Sequence, residues 1–150
     1  MLAHGSNLRR GRFSEPGRVY LVTTVTRGRQ PLFTDWRMGR ELVQVLRASD
    51  EARMSTSLAF VVMPDHLHWL FVLGETSDLS AVMKRVKGQS SRRIGAMLGL
   101  NGIWQNGFHD HAARADEDIQ AMARYVVANP LRAGLVQKLA DYPLWDAIYV

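Results

Sequence analysis

Two histidines, His66 and His68, with one residue between them, stand in a largely apolar run from Val61 to Leu73, broken otherwise only by the Pro64-Asp65 pair. Strand side chains alternate between faces. Over residues 66–73 both imidazoles therefore point one way, while Leu67, Trp69, Phe71 and Leu73 point the other way, into a core. Paired imidazoles on one face can hold a divalent ion; the same pattern also fits two polar residues on an exposed sheet face. Such a pair is incomplete by itself, because the ion takes further oxygen or nitrogen ligands. Tyr125 and Asn129, four apart, share one face of a predicted helix. The asparagine offers a carbonyl oxygen suited to a hard cation, and the tyrosine a hydroxyl that could attack a phosphodiester held at the ion. Each also has a plainer reading: Tyr125 as a half-buried packing residue, and Asn129 as the cap of a turn at Pro130.

The elements that must position these groups follow from periodicity and turn chemistry. Val19–Thr26 is β-rich and reads as a first strand. Trp36–Ser49 places Leu42, Val45, Leu46 and Ser49 on one helical face. Ser55–Met63 is a second strand, Pro64-Asp65 a turn, and His66–Leu73 a third strand, giving a hairpin. Asp78 can cap a second helix whose Leu79, Val82, Met83 and Val86 form its apolar stripe; Gly88 weakens its far end. Ile103–His111 is expected as a fourth strand. Asp116, Glu117 and Asp118 suit the first turn of a third helix with Ile119, Met122, Ala123 and Val126 on its stripe. Pro130 breaks that helix or starts a short one, which Gly134 can end. The aromatic tail 142–150 can pack back on the core. The order β-α-β-β-α-β-α is the ferredoxin-like, RRM-like plan: an α+β fold whose antiparallel sheet has helices on one face, plus one added C-terminal helix that can bring Tyr125 and Asn129 over the histidines.

At 150 residues, 47% of them hydrophobic, the chain suits one cored domain, residues 18–150, behind a basic arm at 1–17. It has no cysteine, which excludes a disulfide framework and a thiolate metal site. The arginines at the start precede no apolar segment of the kind a signal peptide needs, and no apolar stretch is long enough to span a bilayer; the expectation is a cytoplasmic protein without a membrane partner. Nineteen Lys and Arg against 14 Asp and Glu leave a net charge of +5. The excess is clustered: Arg9, Arg10, Arg12 and Arg18 at the start, Arg27 and Arg29 after the first strand, then Lys84, Arg85, Lys87, Arg92 and Arg93. Such clusters suit a phosphate backbone, and they equally suit a solvated surface.

Four stretches in order carry a resemblance. They are Val61–Trp69; Lys84-Arg85-Val86-Lys87 with Ser90-Ser91-Arg92; Ile103–His111; and Tyr125–Leu135 with its Asn129-Pro130-Leu131-Arg132-Ala133-Gly134 core. Together, over about residues 18–136, they resemble the REP-associated tyrosine transposases, relatives of the single-tyrosine insertion-sequence transposases among the HUH nucleases. The resemblance implies a metal-binding pair at His66 and His68, a third ligand at Asn129, a nucleophile at Tyr125, and Mg²⁺ or Mn²⁺ as cofactor. It also implies single-stranded DNA beside a palindromic hairpin as the partner, with the protein a monomer or homodimer.

That chemistry is reasonable from first principles. A phenol, with a reference pKa of about 10, is a poor nucleophile near neutral pH. Phosphoryl transfer gains most from in-line positioning and charge neutralisation, and an ion on His66, His68 and Asn129 could polarise the scissile phosphate. Imidazole ligands favour Mn²⁺, or Zn²⁺ in vitro, over Mg²⁺. For DNA contact the candidates are Arg9, Arg10, Arg12, Lys84, Arg85, Lys87, Arg92, Arg93 and His111, the last lining the DNA path or standing behind the metal ligands, with His109 partly exposed; Trp104 is assigned to the core rather than to base stacking. Two rivals share parts of this pattern. One is a non-catalytic nucleic-acid-binding module on the same fold. The other is a four-histidine metalloenzyme in which His109 and His111 join the first pair.

Overall fold

A computed structural model describes residues 14–148; Arg9, Arg10 and Arg12 lie outside the described residues. The sheet has five antiparallel strands: β1 (Val19–Val25), β2 (Ser55–Met63), β3 (His66–Leu73), β4 (His109–Ala112) and β5 (Trp145–Ala147), in the spatial order β4-β1-β3-β2-β5. The histidine strand β3 is central. It pairs with β1 across Val25↔His66 to Val19↔Val72, and with β2 across Met63↔His66 to Ser55↔Leu73, interrupted by a bulge at Leu58. The β2–β3 hairpin appears at the expected boundaries.

Both sheet faces are covered. Helix α1 (Trp36–Glu51) and helix α2 (Leu79–Leu98) pack on one face. There Leu42, Val45, Leu46, Val82, Met83 and Val86 meet Val22, Val62, Leu67, Trp69 and Phe71 in the larger core. Each helix starts on an aspartate side chain: Asp35 accepts from the Arg37 N–H (3.1 Å) and Asp78 from the Ala81 N–H (2.8 Å), which satisfies amide groups that have no partner within the helix. Gly88 does not end α2, which runs ten residues further to a left-handed Gly99.

The added helix, α3 (Ile119–Val127), lies on the opposite face, against β2 and β3. Its Ala123, Val126 and Val127 close a second core with Ala59, Val61, Met63 and Leu70. Leu70 belongs to the same face of β3 as the two histidines, so α3 is fastened over the strand that carries them. Asp118, expected in the first turn, is the N-cap, its side chain accepting from the Ala121 N–H at 3.1 Å. A one-turn helix α4 (Asn129–Arg132) follows, and left-handed Gly134 turns the chain away. The tail packs as expected: Leu144 is buried, the Tyr142 hydroxyl donates to the Val62 carbonyl (2.6 Å), and β5 extends the sheet.

The largest difference in boundaries is at the fourth strand. Of the strand expected over 103–111, only His109–Ala112 forms a ladder with β1, while Trp104 makes an isolated bridge to Thr26. The buried Trp104 indole N–H donates to Ser90 Oγ on α2 (2.9 Å), and the Lys87 ammonium donates to the Gln105 and Gly107 carbonyls (2.7 and 2.6 Å). Residues 103–105 still meet the end of β1, with the Arg27 N–H donating to the Ile103 carbonyl (2.8 Å) and the Gln105 N–H to the Val25 carbonyl (2.9 Å), and the expected strand is broken only between there and His109, where Lys87 holds the Gln105 and Gly107 carbonyls.

Leu70 is fully buried between β3 and α3. Leu70→Ala should therefore destabilise the protein by about 2–5 kcal/mol through lost burial and a residual cavity. Urea unfolding would measure it, and a loss below about 1 kcal/mol would mean that α3 is not packed on the sheet as described.

Candidate active site

His66 and His68 project from the α3-side face of β3, with their Nε2 atoms 3.1 Å apart and their rings nearly perpendicular, at 82°. Each remaining ring nitrogen has a partner. His66 Nδ1 lies 2.6 Å from Asp65 Oδ1, and His68 Nδ1 lies 2.8 Å from Thr23 Oγ1. Thr23 is the residue directly opposite His68 in the β1–β3 ladder, so sheet register alone supplies that contact.

Burial works to raise the Asp65 carboxyl, but the hydrogen bond and charge of His66 and the Arg29 guanidinium outweigh it, holding the group below the usual carboxylate range. Asp65 is therefore an acceptor, and His66 Nδ1 carries the proton donated to it. That tautomer leaves the His66 Nε2 lone pair facing His68. Burial, together with the charges of His66 and Arg132, pushes the His68 imidazole down to about 4, so at neutral pH His68 is uncharged.

The turn after β1 braces this arrangement. Arg29, at φ 52°, donates from Nε to Asp65 Oδ2 (3.0 Å). Thr26 is fully buried; its N–H donates to the Asp65 carbonyl (2.9 Å) and its hydroxyl to the Gln30 carbonyl (2.8 Å).

Two imidazole nitrogens 3.1 Å apart fit one ion. Adjacent ligands at about 2.1 Å and near-right angles stand about 3 Å from each other. Among the described residues no group of three or more His, Cys, Asp or Glu side chains could share an ion. The four-histidine centre is thereby overturned. His109 and His111 sit on β4, with β1 between it and β3, so about 10 Å of sheet separates the two pairs. A further protein ligand must come from another residue type. Asn129 opens α4, which packs against β2; its amide N–H donates to the Val126 carbonyl (2.9 Å), leaving the side-chain oxygen as its acceptor end.

Tyr125 lies on α3 beside buried Val126 and Val127, yet is 60% exposed. The Arg132 guanidinium carbon stands 3.8 Å above the centre of its ring, in cation–π range. Because Arg132 also lowers His68, its charge links the tyrosine to the histidine pair. Arg132, Asp65, Arg29 and Thr23 were not among the residues singled out for chemistry. The only local signal was the aspartate immediately before the first histidine.

Among the described residues the basic candidates are held in different ways. Arg85 reaches Met54 Sδ (3.0 Å), Lys87 holds the 105–107 segment, and Arg93 pairs with Glu41 (3.0 Å). Lys84 and Arg92 are exposed. His111 Nε2 meets Glu117 Oε1 at 2.7 Å, tying β4 to the turn that leads into α3. The Arg114 backbone N–H also donates to this carboxylate (2.8 Å), and the two bonds hold it below the usual range.

The family model for IS200-like transposases matches residues 18–129, from β1 to Asn129. The chain belongs to this family. A REP-associated tyrosine transposase of Escherichia coli K12 is 29% identical over 135 residues, covering 88% of this chain and 78% of that protein. The solved structure of a REP-associated tyrosine transposase bound to a REP hairpin aligns with a TM-score of 0.69 at 30% identity, over 89% of this chain and 79% of that one. A Deinococcus radiodurans crystal structure, at 21% identity and a TM-score of 0.57, covers 79% of this chain and 95% of its own and shows the shared fold.

The protonation of His68 has a consequence for stability. In the unfolded chain this imidazole titrates near its reference value of about 6.5; in the folded chain it titrates at about 4. Below pH 6.5 the unfolded state takes up a proton that the folded state refuses. The stability involved is present above 6.5 and is lost as pH falls toward 4. In chelated buffer, His68→Gln should flatten the fall in urea midpoint between pH 7 and pH 4.5; an unchanged slope would remove His68 as its source.

Proposed function

We propose that the protein cuts and rejoins single-stranded DNA beside a hairpin through a covalent tyrosine intermediate. The observation that carries this reading is the facing pair of Nε2 atoms, each histidine tethered behind at Nδ1, on the sheet face covered by the helix of Tyr125. Membership of a transposase family and the likeness to a REP-hairpin-bound structure support the DNA substrate.

The residues divide the work. His66 and His68, with Asn129 as the third ligand, would hold a divalent Mg²⁺ or Mn²⁺, which supplies charge neutralisation at the scissile phosphate. Asp65 fixes His66 in the tautomer whose Nε2 is free to ligate, and Thr23 holds the His68 ring in place at Nδ1, so little reorientation of the rings is left. Arg132 holds the Tyr125 ring from its face and keeps a positive charge near an oxygen that must approach an anion. The Tyr125 oxygen attacks phosphorus and its proton passes to solvent. The P–O3′ bond breaks, and the departing oxygen takes a proton to give a free 3′-OH. The 5′ phosphate remains esterified to tyrosine, so a later 3′-OH can reverse the step and rejoin strands.

Two experiments test the reading. By calorimetry with Mn²⁺, His66→Ala combined with His68→Ala should abolish tight binding, and Asp65→Ala should weaken it by about 10–100-fold; full affinity in the double variant would eliminate the site. On a hairpin oligonucleotide labelled 3′ of the cut, the wild type should leave a denaturant-resistant adduct. Tyr125→Phe, which removes one oxygen, should bind the DNA normally without cutting it. Cleavage by that variant would point to an activated water in place of the tyrosine, and normal binding without cleavage by the wild type would point to a non-catalytic hairpin-binding module.

A further inference from the structure

On the sheet face opposite α3, a groove of about 480 Å³ runs between α2 and the segment 102–108. None of the residues assigned above to ion or tyrosine chemistry lines it. Its apolar lining comes from Met83, Ile103, Trp104 and Phe108, and its cations are Arg27, Lys84 and Lys87. That size lies within the range of about 300–1,000 Å³ typical of small-ligand pockets. Apolar and aromatic surface beside positive charge suits a flat, uncharged ring attached to a phosphate.

Gly88 gives a second, independent sign that the groove is kept open. It is the tenth of the 20 residues of α2, where glycine weakens a helix relative to alanine. Packing does not call for it: a Cβ there would meet only Arg92 Nη1, at an ordinary 3.7 Å. Gly88 lines the groove, and a larger side chain at this position would occupy it. The facing wall does need its glycine. Gly102 has φ +97°, and a Cβ on it would come within 2.9 Å of Arg27 Nη2. The groove is also joined to the histidine site through one turn. The Arg27 N–H donates to the Ile103 carbonyl (2.8 Å), and two residues on Arg29 holds Asp65, the partner of His66.

We infer that this groove receives one unstacked nucleotide of the DNA substrate, its base against partly exposed Phe108 at the edge of the largely buried Trp104 and its phosphate toward Lys84 and Arg27. The inference rests on the DNA-cutting reading above and adds a base-binding position that the ion and the tyrosine do not supply.

The test combines free nucleotides with DNA. The four deoxynucleoside 5′-monophosphates are titrated into the full-length protein while the Trp104 indole N–H resonance is followed. Hairpin oligonucleotides with a single abasic site walked through the unpaired flank are then compared for binding to the wild type, Gly88→Ala, Gly88→Leu and Lys84→Glu. In the wild type, a nucleotide should shift the indole signal, and one abasic position should weaken binding about tenfold or more, the scale of one lost base–aromatic stack. Gly88→Leu should lose both the indole shift and the sensitivity to that position, while Gly88→Ala, which adds one methyl, should keep them. Lys84→Glu provides the same reading should the leucine disturb the fold. Affinity in Gly88→Leu and Lys84→Glu within about twofold of wild type on every oligonucleotide would overturn the inference. So would nucleotide binding with no sensitive abasic position, which would mark a site for free nucleotides. A wild type that binds hairpins with this pattern but never cuts would defeat the catalytic reading and leave the base site standing.

Discussion

The strict alternation of side chains along β3 is the constraint on which the site depends. Leu67, Trp69, Phe71 and Leu73 are fully buried in the larger core, with Trp69 and Phe71 stacked at a centroid distance of 3.9 Å. His66 and His68 occupy the alternate positions. A one-residue slip against β1 or β2 would drive two imidazoles into that core and four large apolar groups out of it, so the burial of one face fixes the register of the other. The core thereby does the positioning for the polar groups: it places Thr23 opposite His68 and brings the two Nε2 atoms together.

Orientation beyond that comes from polar contacts of little intrinsic strength. The Arg29–Asp65 ion pair has side chains 61% and 23% exposed, and pairs of this kind contribute little to stability. Its effect is directional. With Arg29 on one carboxylate oxygen and His66 on the other, Asp65 has one way to sit, and the His66 proton is fixed on Nδ1. The backbone around it is tied down by buried Thr26, so the whole turn behaves as a rigid back support for one imidazole. The second imidazole needs no such turn, because a neighbouring strand supplies its hydroxyl partner.

The charge of the chain is used in a similarly divided way. Within the net +5, Lys87 gives its ammonium to the Gln105 and Gly107 carbonyls, while Arg85 and Arg93, both exposed, each give one donor to Met54 and Glu41. The segment that Lys87 and the Trp104–Ser90 bond draw onto α2 is the same one that walls the groove. Loop anchoring and groove formation thus have one physical origin, while Arg27 and Lys84 bring positive charge to the groove's lining.

The sequence by itself determined the elements whose signals are local. The β2–β3 hairpin followed from alternation and a Pro-Asp turn, the start of α2 from its Asp78 cap and 3.6-residue stripe, the presence of α3 from its stripe although Asp118 caps it instead of lying in its first turn, and the histidine pair from a period of two. The ordered motifs gave the family. Charge in the sequence does not say which donors also reach carbonyls, Met54 or Glu41. The fourth strand, expected as one piece over 103–111, pairs with β1 at both of its ends but is interrupted between them, because Lys87 on α2 takes the Gln105 and Gly107 carbonyls, a long-range contact that no local pattern reports. Only the tertiary structure decided that α3 covers the face opposite α1 and α2, that His109 and His111 stand two strands away from the first pair, and that Asp65, Thr23, Arg29 and Arg132 gather around the histidines and Tyr125. These last contacts join residues from separate parts of the chain, and cross-strand register and helix packing, which no local pattern encodes, are what bring them within reach.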